Sequence, residues 1–131
     1  MLGSHRLVDH ITRGRTGEEA AVAFLRERGY EIVACNQRTP VGELDIVCRF
    51  ECAVVIVEVK ARGSDHFGDG LEAIGPRKAR RLRAAALWWL CTEALYPCEV
   101  HFDAVIVSID GGGTPRRLRH VKDVIGQDGR R

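Results

Sequence analysis

Asp45, Glu58 and Lys60 are the side chains whose types and spacing could do chemistry together. They lie in "GELDIVCRFECAVVIVEVK", residues 42–60, a stretch otherwise rich in valine, isoleucine and leucine. Charges on apolar strands are costly unless they are paired or given a ligand. The β-branched content predicts strands over 43–50 and 53–61, joined by a very short polar link. A hairpin turn centred between Glu51 and Cys52 sets Asp45 across from Glu58, and Glu43 across from Lys60. Residues opposed in this way share a sheet face, with Cβ atoms about 5 Å apart. Glu58 and Lys60 also share a face by the two-residue period of a strand. The link lacks the Asn-Gly or Asp-Gly signature of a two-residue hairpin, so the convergence depends on register, and a slip of one residue would destroy it.

Two carboxylates this close repel, and one holds its proton more tightly unless a cation intervenes. Lys60 supplies one cation. A divalent ion supplies a better one, because Mg²⁺ accepts carboxylate, water and phosphate oxygens together. The plainer alternative is a charge cluster at a solvated sheet edge, of the common and weak surface kind. The apolar flanks of the second strand argue for partial burial and bring the two readings nearly level. Glu18 adds a third acid from a helix. Residues 18, 21, 22 and 25 share one helical face, so Glu18 lines up with Ala21, Val22 and Leu25, the side that should meet the sheet. A glutamate in a first helical turn also simply complements the helix dipole.

The elements that must position these residues can be read along the chain. A length of 131 residues, with 45% hydrophobic and 29% charged, suits one globular domain with a real core. Thr16 and Glu19 match a capping box and Gly29 a helix stop, which predicts a helix over 16–29. A short strand follows over 30–36, then a break at "TPVG" and the two hairpin strands. Residues 61–76 read as a mobile glycine-rich loop. Pro76 suits the first position of a long helix over 77–95, with Pro97 ending it. Residues 98–109 read as a fourth strand, and "LRHVKDVIG" as a short strand or helix. The order α-β-β-β-α-β predicts a single α/β domain, residues 13–125, around one mixed sheet. Residues 1–12 and 126–131 read as tails, with Gly3-Ser4-His5 resembling a cloning remnant.

Composition excludes some classes. No apolar run approaches a membrane span, and the N-terminal stretch has no secretory core, so a cytoplasmic protein without a membrane partner is expected. The cysteines at 35, 48, 52, 91 and 98 contain no CxxC pair and read as reduced, mostly buried thiols rather than a zinc site. A net charge of +2 permits a nucleic-acid partner without requiring one. Its distribution says more: Arg77, Lys78, Arg80, Arg81 and Arg83 stand together with no acid among them. Cations at a helix start gain nothing from the dipole, which points to phosphate contact by Lys78, Arg77 and Arg81. A solvated basic face is the alternative. Trp89 falls in the core stripe with Leu82, Ala85 and Ala86, whereas Trp88 suits partial exposure or a subunit contact. Asp103 reads as structural, and His66 in the loop as solvated.

The segments "GRTGEEAAVAFLRERGY", "GELDIV", "VIVEVKAR", "FGDGLEAIGPRKARRL" and "HFDAVIV" occur in the order of the YraN-like family of small uncharacterised bacterial proteins, which this chain resembles over roughly residues 13–125. That family is similar to the PD-(D/E)XK nuclease superfamily, with its archaeal Holliday-junction resolvases and its restriction-endonuclease-like core. The resemblance implies a Mg²⁺- or Mn²⁺-dependent endonuclease acting on DNA, branched DNA included. It places the metal-binding acids on Asp45 and Glu58, the catalytic lysine on Lys60 and, on Glu18, the helix glutamate of the resolvase branch, which would bind a second metal directly or through water. The Val59 backbone carbonyl would aid the metal, and Glu43 would hold Lys60 from outside. Lys78 matches a lysine of the family pattern. The proline that names the superfamily is absent, since Leu44 precedes Asp45. Resolvase-type enzymes cut two strands symmetrically, so a homodimer is expected. The alternatives are a nucleic-acid-binding module of the same fold without efficient catalysis, and a protein-interaction subunit whose acids are structural.

Overall fold

A computed structural model describes residues 2–63, 74–95 and 98–125, the side chains of 2–13 excepted. Five strands form one mixed sheet: β1 (Glu31–Arg38), β2 (Glu43–Phe50), β3 (Ala53–Gly63), β4 (Glu99–Ile109) and β5 (Pro115–Val121). They lie side by side in chain order, antiparallel except for the β3–β4 pair, which is parallel. Helix α1 (Leu2–Glu27) precedes the sheet, and α2 (Pro76–Thr92) makes the crossover that a parallel pair requires. The predicted α/β class and mixed sheet are therefore observed. Of the undecided C-terminal segment, residues 118–121 belong to strand β5 and residues 122–125 to neither strand nor helix.

β3 is the central strand, which explains its run of "VVIVEV". Val55 and Val57 pack with Ala21 and Leu25 of α1 on one face. Val54 and Ile56 pack with Ala79, Leu82, Ala85, Ala86, Trp89 and Leu90 of α2 on the other. A strand covered on both sides reads as continuous rather than alternating hydrophobicity. The α1 stripe of Gly17, Ala21 and Leu25 repeats every four residues and is buried throughout. Gly17 is required by close approach: a Cβ built there would stand 3.1 Å from the Cβ of Ala61 on β3. Glycine at this point lets the helix backbone lie directly on the strand.

Two expectations are corrected. The helix does not begin at Thr16, because α1 already runs from Leu2, so residues 2–12 are helical. A capping box acts only where backbone N–H groups lack partners, and here the preceding turns supply the carbonyls. The C-terminal signal does hold. Gly29 takes φ +91°, the Gly29 N–H donates to the Arg26 carbonyl and the Tyr30 N–H to the Leu25 carbonyl, the Schellman arrangement that left-handed glycine permits. Among the free cysteines only Cys48 is buried, while Cys35, Cys52, Cys91 and Cys98 are exposed. Cys35 lies on the edge strand β1, Cys52 in the hairpin turn, Cys91 on the outer side of α2 and Cys98 just before β4, rather than in the core. Most of the predicted glycine-rich loop, His66 with it, lies outside the described residues. Among the described residues, no helix is long and apolar enough to cross a membrane.

Candidate functional site

The β2–β3 hairpin has the register that the turn position predicted. Phe50 pairs with Ala53, and the ladder continues to Val47–Ile56 and Ile46–Val57. Glu51 carries the tight link at φ +55°, a left-handed conformation without the glycine or asparagine that usually serves it. Beyond Ile46–Val57 the ladder stops, and the Val59 N–H donates 2.9 Å to Oδ2 of Asp45 instead. The Asp45 side chain thus caps the opened hairpin, and its carboxylate is fixed beside Glu58 and Lys60.

Glu58 is buried, and two ammonium groups converge on it: Lys60 Nζ lies 3.5 Å and Lys78 Nζ 2.7 Å from the same oxygen, Oε2. Lys60 comes from the same strand and Lys78 from the first turn of α2. Asp45 is pushed up from 3.8 to about 7, first by burial and next by the Glu58 charge; the Val59 hydrogen bond works against the rise, Glu18 adds to it, and Lys60 opposes it. Lys60 is held below the ordinary lysine range by burial and by the neighbouring Lys78, with Glu58 opposing. Burial is the largest single influence on Lys78 and works against its charge, but the bonds to Glu58 and Lys60 and the charges of Glu58 and Asp45 together outweigh it and hold Lys78 above the ordinary range. The two lysines shift in opposite directions because Lys78 takes the short bond and remains half open to water, leaving Lys60 the buried and weaker partner.

Asp45, Glu58 and Lys60 are therefore brought together. Glu18 is half-buried on α1 beside Gly17 and lies within electrostatic reach of Asp45. Val59, whose carbonyl is the expected backbone ligand, gives its N–H to Asp45. Glu43 does not join the group: it is exposed, pairs with Arg38 in the β1 ladder and lies past the end of the β2–β3 ladder. The splayed hairpin removes the opposition to Lys60, whose acidic partner is Glu58 instead. Arg77 and Arg81 are exposed, and Lys78 is half-buried. The sequence marked Lys78 for phosphate contact but not for its bond to Glu58, which only the packing of α2 on β3 creates. Gly17 was missed as well, although glycine inside a strong helical pattern is itself a signal of close packing.

The donor set can be tested against a hard cation. Asp45 and Glu58 offer the carboxylate oxygens that Mg²⁺ or Mn²⁺ takes. Elevated proton affinity at Asp45 is what a largely desolvated carboxyl beside a second carboxylate shows. Among the described residues, no three His, Cys, Asp or Glu side chains cluster closely enough to hold an ion by themselves. The residues fit an ion that completes its shell with backbone, water and substrate oxygens, provided Lys78 yields its position on Glu58.

Asp103, read from the sequence as structural, stands apart from this group. It is buried on β4, its Oδ2 lies 2.8 Å from Nε2 of His120, and its Oδ1 accepts from the Asp123 N–H at 3.0 Å.

Fold and site define a small α/β domain with a mixed sheet whose β2–β3 hairpin opens at Asp45, beside a Glu58 that two lysines bond. The family model described as "Uncharacterised protein family UPF0102" matches residues 17–107, and the chain belongs to that family. It is 38% identical over 118 residues to a UPF0102 protein of Syntrophus aciditrophicus, covering 90% of this chain and 91% of that one. It is 43% identical over 111 residues to a UPF0102 protein of Thermus thermophilus, covering 83% and 93%. A third, from Desulfosudis oleivorans, is 44% identical over 94 residues, covering 72% and 76%.

Proposed function

We propose that this chain is a metal-dependent endonuclease of the PD-(D/E)XK type, hydrolysing phosphodiester bonds in branched or structured DNA with Mg²⁺ or Mn²⁺. The observation that carries the reading is the meeting of Asp45, Glu58 and Lys60 where the hairpin opens. Asp45 and Glu58 would hold the ion with the Val59 carbonyl, and Glu18 would add negative charge from α1. When bound, the ion supplies Lewis-acid polarisation of the phosphate and a lowered pKa for coordinated water. The Val59 N–H fixes one Asp45 oxygen, Oδ2, and the other would be the one offered to the ion. Lys60, buried and held below the ordinary lysine range, is suited to orient a water at Nζ and to exchange a proton there. Lys78, Arg77 and Arg81 would take phosphate oxygens, with Lys78 moving from Glu58 to the incoming backbone.

One observation favours the second reading, a nucleic-acid-binding module without efficient catalysis: the bond from Lys78 already neutralises Glu58. Incubation with four-way junction, flap, single-stranded and duplex DNA, with Mg²⁺, Mn²⁺ or EDTA, separates the two. The nuclease reading expects metal-dependent cleavage that is lost in Asp45→Ala and Lys60→Ala. Cleavage unchanged in those variants would sink it and point to a contaminant, and binding without cleavage would favour the module. Lys78→Gln adds a second axis. If Lys78 and the ion compete for Glu58, this variant needs less Mg²⁺ for half-maximal activity while binding DNA more weakly.

A further inference from the structure

On α2, residues 77, 81, 84, 88 and 91 recur at alternating spacings of four and three, which puts them on one helical face. Arg77, Arg81, Ala84, Trp88 and Cys91 are all exposed, as are Arg80 and Leu87 beside them. The stripe is basic at its N-terminal half and apolar at its C-terminal half, with Trp88 38% and Leu87 47% exposed against 3% for the neighbouring Trp89. The first turn of α2 contains no acid, and its cations, Arg77 and Lys78, stand where the helix dipole disfavours them. The basic end begins beside the candidate site, because Lys78 in that same turn reaches Glu58. At 1.5 Å per residue, Trp88 lies about 15 Å further along the axis.

From this arrangement we infer that the outer face of α2 is a track for single-stranded DNA leaving the candidate site, with phosphates on Arg77 and Arg81 and an unpaired base stacked on Trp88. The inference rests on the nuclease reading for its substrate, though its test does not need turnover. Charge complementarity selects the occupant. The stripe holds no carboxylate, so the same face of a second copy laid on it would leave the arginines uncompensated, whereas a polyanion neutralises them. An indole face beside a basic track suits bases that are not already paired, and Ala84 between the two leaves room for the strand to lie close.

The two tryptophans give a direct readout. In EDTA at low salt, oligo(dT) should quench the tryptophan emission of the full chain. Trp88→Phe should abolish the quench while the emission of buried Trp89 persists and reports an intact fold. Trp88→Ala should weaken oligo(dT) binding roughly tenfold. In Arg77→Ala/Arg81→Ala, the slope of log K against log salt should fall by about 1.4, the amount expected for two lost phosphate contacts on a single strand. Undiminished quenching in Trp88→Phe overturns the inference. Duplex of equal length bound as tightly as oligo(dT) overturns it too. So does a Trp88→Ala variant that dissociates a dimer without changing DNA affinity, which assigns the face to a second copy. Absence of junction cleavage with the quench intact sinks the nuclease reading alone, and cleavage without a Trp88-dependent quench sinks the track alone.

Discussion

Replacing Asp45 by asparagine should make the metal-free protein more stable at pH 8 while removing a residue on which the proposed chemistry depends. The Asp45 carboxyl is raised from 3.8 to about 7, first by burial and then by Glu58. Its proton is therefore held more tightly in the folded chain than in the unfolded one. Stability from this group is fully present at the acid end, falls as pH rises from about 4 to about 7, and is level above that. At about 1.4 kcal/mol per unit, a shift of this size corresponds to ~4 kcal/mol at the limit. Asp45 is only partly buried and Lys60 lies close, so screening reduces the measurable gain to about 1–2 kcal/mol. Asparagine keeps an oxygen for the Val59 N–H and carries no charge. Urea unfolding in EDTA at pH 5, 6, 7 and 8 measures the effect. The wild-type midpoint should fall relative to Asp45→Asn across that range, with a gap of about 1 M at pH 8 for a domain of this size. Parallel curves, or a variant less stable at pH 8, would show that the carboxylate is not under strain and would remove the electrostatic argument for a cation site.

Two further outcomes follow from the packing. Gly17→Val should destabilise the protein by about 2 kcal/mol in urea unfolding, because overpacking adds to the β-branched penalty where a Cβ already stands 3.1 Å from Ala61; unchanged stability would mean α1 does not rest on β3 at this point. His120→Leu should cost about 3 kcal/mol by the same assay, since it strips one partner from buried Asp103 and leaves its Oδ2 unpaired. A loss below 1 kcal/mol would show that water replaces the imidazole there.

Much of the candidate site was legible because it sits on one hairpin. Turn position fixed the register, and register alone decides which side chains share a face. The sequence therefore sets Asp45 beside Glu58. The same logic misplaced Glu43, because pairing arithmetic assumes a ladder that continues, whereas Asp45 ends this one by capping Val59 with its side chain. The start of α1 was misplaced for a related reason. The Thr16–Glu19 pattern is local, and whether it caps a helix depends on what the preceding residues do.

By itself the sequence determined the elements and their faces: the double-sided hydrophobicity of β3, the stripes of α1 and α2, the Gly29 stop and the convergence of Asp45, Glu58 and Lys60. Hydrophobic period and turn chemistry act over a few residues, so they can be read from a few residues. Only the tertiary structure decided that Lys78 bonds Glu58, that Glu18 adds to the field on Asp45, that Gly17 lets α1 lie against β3, and that Asp103 is tied to His120 and the Asp123 N–H. Each of these joins residues far apart in the chain through the packing of whole elements, where distance and burial, rather than residue type, set the charge and the proton affinity.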